Sequence, residues 1–98
     1  MAKKNEAYAG ELVQACRLLG DETRLKVVTL LARKEENVGN LCKILKLAQP
    51  TVSHHLGLLR MGRLIANRRN GKQVIYSLNT DVLSNVASQL GSLLRGKK

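Results

Sequence analysis

Aromatic residues are almost missing from this chain of 98 residues: there is no Trp or Phe, and the only two tyrosines are Tyr8 and Tyr76. With 44% of residues hydrophobic, the core must be aliphatic, made mainly of Leu, Val, Ile and Ala. No apolar run approaches the roughly 18 residues that a membrane span needs. The N-terminus also lacks the apolar region of a signal peptide, so a soluble, cytoplasmic protein is expected. Cysteine is scarce, and the wide separation of Cys16 and Cys42 fits neither a CxxC nor a zinc-finger pattern. In a reducing compartment both are expected as thiols.

Acidic residues are missing from a whole half of the chain. Glu6, Glu11, Asp21, Glu22, Glu35, Glu36 and Asp81 are the carboxylates, and none falls between Asn37 and Thr80. That window holds Lys43, Lys46, Arg60, Arg63, Arg68, Arg69 and Lys72. With a net charge of +10, the asymmetry points to a polyanionic partner; the plainer alternative is a solvated basic surface. A monomer of this length buries only about 60–68% of its unfolded surface, and a dimer would make up the shortfall.

The pattern along the chain is helical at first. Residues 1–6 are polar and expected to be loose, as is the basic tail at 95–98. From Ala7 to Leu19 the apolar positions Tyr8, Leu12, Ala15, Cys16 and Leu19 recur at helical spacing. "GD" breaks the pattern and Asp21 is a suitable N-cap for "ETRLKVVTLLARK", with Leu25, Val28 and Leu31 on one stripe and Val27 beside it. "EEN" interrupts. Asn37 can cap "VGNLCKIL", whose Val38, Leu41, Cys42 and Leu45 face inward. After the short connection "KLAQ", Pro50 suits a first helical turn, where its missing N–H would have had no partner. In "PTVSHHLGLLRM", Val52, Leu56 and Leu59 form the buried stripe, while Thr51, Ser53, His54, Leu58 and Met61 lie largely away from it.

"LIANRRNGKQVIYSL" then reads as a β-hairpin, with Asn70-Gly71 as a two-residue type I′ turn. Counting outward pairs Arg69 with Lys72, Arg68 with Gln73, Asn67 with Val74 and Ile65 with Tyr76. Like charges facing each other destabilise an isolated hairpin. A tip carrying Arg68, Arg69 and Lys72 makes sense if phosphates approach it. The last helix, "DVLSNVASQLGSLL", puts Val82, Val86, Leu90 and Leu93 on one stripe. With no internal repeat and no linker, residues 1–98 read as one domain.

Two short helices joined by four residues, followed by a hairpin with a basic tip, describe a winged helix-turn-helix. The expected fold is mainly α: four helices, a hairpin and a fifth helix. In such a fold the second helix of the pair enters the DNA major groove with its N-terminal half, braced by the first. Small polar side chains at the entering end reach base edges and phosphates.

At "LGDETRL" (19–25), "QPTVSHHLGLLR" (49–60) and "RRNGKQVIYSL" (68–78) the chain resembles the ArsR/SmtB family of bacterial dimeric repressors. The resemblance covers roughly residues 8–94. It implies a homodimer built from the first and last helices, a double-stranded operator read by the fourth helix, and release by an effector. Two-fold symmetry would make the operator an inverted repeat. On the family's pattern Gln49, Thr51, Ser53 and His54 touch DNA. His55 sits nearer the buried side, to contact phosphate or to pack. Arg60, Arg68, Arg69 and Lys72 complete the expected DNA-binding set. One position departs from the pattern: Ala48 stands where many relatives have Ser, and losing such a cap costs roughly 1 kcal/mol.

The ligand patterns of metal-binding relatives are not met. "EENVGNLC" offers a single cysteine and the last helix only Asp81, whereas a transition-metal site needs about four ligands. His54 and His55 cannot easily share an ion, because adjacent helical residues point about 100° apart. No metal, cofactor or catalytic constellation is expected. Cys16 and Cys42 are read first as buried core thiols and second as a redox sensor, with Cys16, beside Arg17, the better placed. Two other functions stand against the repressor. One is a protein-interaction module that keeps the fold without DNA binding; the other is an architectural or RNA-binding winged helix that ignores sequence.

Overall fold

A computed structural model describes residues 2–95, with side chains from Gly10 onward; Met1 and residues 96–98, most of the basic tail, lie outside the described residues. The order is α1 (Ala2–Leu19), α2 (Glu22–Arg33), β1 (Glu36–Asn37), α3 (Val38–Leu45), α4 (Gln49–Met61), β2 (Ile65–Asn70), β3 (Gln73–Leu78) and α5 (Thr80–Arg95). The first helix thus begins at Ala2, ahead of the apolar pattern that marks it from Ala7.

Capping chemistry sets the helix starts. Asp21 Oδ2 accepts from the Arg24 backbone N–H at 3.0 Å, and Asn37 Oδ1 from the Asn40 N–H at 2.8 Å. Asn79 does the same for α5, accepting from the Val82 N–H at 3.3 Å. Each satisfies a donor that has no partner within its helix. Two helix ends turn through a left-handed residue that is not glycine. Lys46 (φ 58) follows α3, and Arg63 (φ 66) follows α4. After α4 the Leu64 N–H reaches Leu59 O at 3.0 Å and the Arg63 N–H reaches Arg60 O at 2.9 Å, the two bonds of a Schellman motif.

The core is aliphatic, as composition requires: Ala15, Val27, Leu31, Leu41, Val52, Leu56, Leu59, Leu64, Ile65 and Val86 are buried. On α2 the inward stripe is rotated from the expected one. Val27 and Leu31 are buried, whereas Leu25 is half exposed. Both settings fit the same apolar spacing, and packing against α4 and β3 selects the second.

The sheet has the order β1-β3-β2, antiparallel throughout. The short β1 pairs Glu36 with Tyr76 and Asn37 with Ile75; two polar residues carry no periodicity, so this strand is invisible in the sequence. Glu36 is nevertheless buried, with Asn40 Nδ2 donating to its Oε1 at 3.0 Å and Lys34 Nζ forming an ion pair 4.0 Å from its Oε2. The hairpin register also differs from the expected one. Asn70 pairs with Gln73, Arg69 with Val74, Arg68 with Ile75, Asn67 with Tyr76 and Ile65 with Leu78. The central turn residues are therefore Gly71 and Lys72, not Asn70 and Gly71. Gly71 has φ +65, and Lys72 is not among the positive-φ residues. A positive φ at the first central residue alone is the type II′ pattern, which calls for Gly there. The shift removes the facing pair of like charges and seats Tyr76 and Leu78 against the core.

Candidate nucleic-acid interface

Helix α4 starts from Ala48 without any side-chain cap; the Val52 N–H bonds to Ala48 O at 3.1 Å, and Pro50 occupies the first turn. Val52, Leu56 and Leu59 anchor it in the core, each 1% exposed or less. That stripe leaves Gln49, Thr51, Ser53 and His54 exposed around the N-terminal half, with Arg60 exposed farther along. These five residues, expected from the sequence to meet DNA, are all exposed, with no acidic residue on the helix, and they spread around its solvent side: Thr51 and Arg60, nine positions apart, point in opposite directions. Lys46 and Arg63, the two left-handed residues, bracket the same helix with further cations.

His55 is placed differently. Its side chain is only 14% exposed. Nδ1 lies 3.2 Å from an Arg24 guanidinium nitrogen and 3.8 Å from Asp21 Oδ2, so packing against α2 accounts for its position. Its ring meets that of His54 edge to face, with centroids 5.6 Å apart. Arg24 also donates through Nε to Leu18 O at 2.8 Å. The Asp21 carboxyl is held below its ordinary value, first by the Arg24 backbone N–H, against desolvation, and then by the charges of Arg24 and His55. In the sequence Asp21 reads only as a cap and Arg24 carries no role. Their one signal is membership of "LGDETRL", which does not reveal a partner 31 positions away.

On the wing, neighbouring residues of β2 point to opposite faces, so Arg68 and Arg69 diverge. Arg68 bonds to Glu35, with both side chains about half exposed. Arg69 and Lys72 are exposed and have no ion pair among the described residues. The wing therefore presents two uncommitted cations and one shared with a carboxylate.

Of the two cysteines, Cys16 departs from the expected core position and Cys42 keeps to it in part. Ala15 takes the inward position on α1, which leaves Cys16, about 100° further round, exposed. Cys42 is half-buried and packs on the core. Among the described residues no three His, Cys, Asp or Glu side chains gather where they could hold a metal ion, and no helix is long and apolar enough to cross a membrane.

Comparison with known proteins follows the same lines. The family described as "Bacterial regulatory protein, arsR family" matches residues 21–66, which take in α2, α3, α4 and the start of β2. The transcriptional repressor SdpR of Bacillus subtilis is 34% identical over 67 residues, 68% of this chain and 74% of that protein. Reduced HlyU from Vibrio cholerae superposes with a TM-score of 0.72 at 32% identity, covering 95% of this chain and 94% of that one. The homodimeric winged helix-turn-helix DNA-binding domain of a possible ArsR-family regulator from Mycobacterium bovis shares the fold, with a TM-score of 0.78 at 23% identity over 99% of this chain and 89% of that one. Three further curated relatives are matched over 54%, 61% and 66% of their length.

Proposed function

The chain belongs to the ArsR family of bacterial regulatory proteins, sequence-specific DNA-binding repressors of transcription, and from that premise we propose how this member grips its operator. Gln49, Thr51, Ser53 and His54 enter the major groove. Arg60 on α4 and Arg69 and Lys72 on the wing meet phosphates, and Arg68 joins them when it leaves Glu35. The observation that carries this reading is α4 itself, a helix held by a buried aliphatic stripe whose opposite, N-terminal surface is polar and free of acid. His55 packs, and reaches DNA at most by its outer edge. The role is regulatory rather than enzymatic and is exercised in the cytoplasm, by a single domain spanning the chain.

The working unit is a homodimer through α1 and α5. Four observations support this. Val13 on α1 and Leu90, Leu93 and Leu94 on α5 are 45–84% exposed, a costly arrangement for a lone domain. The accessible surface of 6896 Å² exceeds the about 5,500 Å² of a folded monomer of this mass. The radius of gyration of 15.1 Å likewise exceeds the about 13 Å of a compact chain this long. The relative from Mycobacterium bovis is described as homodimeric. An effector that alters the dimer would change the spacing of the two α4 helices and release the operator.

Selection from random duplex DNA tests the reading. It should return an inverted repeat whose half-sites lie about one helical turn apart, roughly 10–10.5 bp centre to centre. A motif without dyad symmetry would count against the dimer, and no sequence preference at all would favour the architectural alternative.

A further inference from the structure

The contact between Arg24 and His55 assigns a role to a residue that does not face DNA. A guanidinium can only donate hydrogen bonds, so the ring nitrogen it meets must accept. Arg24 stands 3.2 Å from His55 Nδ1, whereas Asp21 Oδ2, the competing acceptor for a proton there, is at 3.8 Å, too far for a hydrogen bond. The proton of the neutral ring must then sit on Nε2. That nitrogen has no hydrogen-bond partner among the described residues. It is not a closed-off atom either, because the one buried unpartnered side-chain polar atom among them is Gln89 Oε1. Nε2–H therefore keeps some contact with solvent, on a side chain that is 14% exposed.

The Arg24 side chain is fixed from a second direction. Its Nε donates to Leu18 O at 2.8 Å, and the carbonyl belongs to the last turn of α1. The Asp21 carboxylate holds the first turn of α2, from which the Arg24 side chain springs. One side chain thus ties together the end of α1, the start of α2 and the flank of α4.

We propose that Arg24 is a positioning residue for DNA binding: it holds His55 in the Nε2–H tautomer, aimed outward as a neutral donor to the DNA backbone, and links that donor to the end of α1. The proposal rests on the reading of α4 as the DNA-facing helix. It places a direct mechanical connection between α1 and the recognition helix within one chain.

The experiment has two arms. Nitrogen-detected NMR of the histidine rings in the free, full-length protein reads the tautomer without DNA. The wild type should show His55 protonated on Nε2 only, and Arg24→Met, which keeps the aliphatic stem, should show a mixture of tautomers. Arg24→Lys, which restores a donor, should recover part of the Nε2–H signal. An unchanged tautomer in Arg24→Met, with native backbone shifts, overturns the proposal. The second arm measures affinity for the selected operator in Arg24→Met, His55→Ala and the double variant. Each single change should weaken binding about tenfold, the size of one hydrogen bond, and the double variant should lose no more than either. Additive losses would mean that Arg24 does not act through His55. A chain that shows the tautomer pattern yet binds no operator would refute the DNA-facing reading of α4, not the tautomer assignment. If Arg24→Met fails to fold, the tautomer test passes to Arg24→Leu, which also removes the donor, and an unchanged ring there is the overturning result.

Discussion

Leu18 of α1 lies against Gly62 at the end of α4 so closely that a Cβ on residue 62 would overlap Leu18 Cδ1. Gly62 has φ −82, open to any L-residue, so the glycine serves the approach of the two helices and not a backbone need. The atom met is the end of a flexible, half-buried side chain, so Gly62→Ala should destabilise the fold by at most about 1 kcal/mol, the low end for an overpacked site. Urea unfolding measures this. An unchanged midpoint would mean that Leu18 simply moves aside.

The next residue has the opposite character. Arg63 takes the left-handed position of the Schellman motif, a conformation that disfavours a side chain by about 1–2 kcal/mol. Arg63→Gly should raise stability by up to about 1 kcal/mol, the gain being reduced by glycine's greater chain entropy. A lower melting temperature in this variant would show that the Arg63 side chain makes a stabilising contribution larger than its strain.

Reading and anchoring should separate by mutation. Ser53→Ala or His54→Ala should weaken the selected operator more than random DNA, by about 1–3 kcal/mol for each side chain that reads a base edge. Arg69→Ala or Lys72→Ala should weaken all duplexes alike and lower the salt slope by about one. If the dimer meets about 6–10 phosphates, affinity should fall roughly 10³–10⁵-fold between 50 and 200 mM salt. Titrations of both duplexes across salt decide the matter, and equal loss of specificity from the two groups would refute the division.

The bond between Arg68 and Glu35 competes with DNA for the arginine. Both side chains are about half exposed, so the pair itself contributes only about 0–1 kcal/mol to stability. Glu35→Gln should leave the melting temperature almost unmoved while strengthening binding to any duplex, with a steeper salt dependence. Unchanged affinity would show that Arg68 stays away from phosphate.

Acid should act through Asp21. Its folded pKa lies below the ordinary value of 3.8, first because the Arg24 N–H bonds to the charged form. The cap therefore adds stability above the unfolded pKa, and this contribution is lost as pH falls through the lower folded pKa. Stability measured from pH 5 downward should fall less steeply in Asp21→Ala than in the wild type, the two converging in acid. Parallel curves would remove Asp21 from the acid response.

Much of this protein is written in local signals. Asp21 and Asn37 cap the helices they precede because a short polar acceptor beside a helix start does so in almost any context. Val52, Leu56 and Leu59 recur at helical spacing, so their burial also settles that Ser53 and His54 face outward. Aliphatic composition decided the kind of core, and the absence of acid between Asn37 and Thr80 left α4 and the wing hairpin with cations and no carboxylate of their own. What remained ambiguous was whatever depends on contacts distant in sequence. "RRNGKQ" allows two hairpin registers, and only the docking of Tyr76 and Leu78 against the core, together with pairing to β1, selects the one with Gly71 and Lys72 at the turn. The apolar stripe of α2 could turn Leu25 or Val27 inward, and Cys16 or Ala15 could face the core from α1; the neighbouring helices and strands made both choices. The contact of Arg24 with His55 spans 31 positions. No local pattern encodes such a meeting, because it exists only once α2 and α4 have packed.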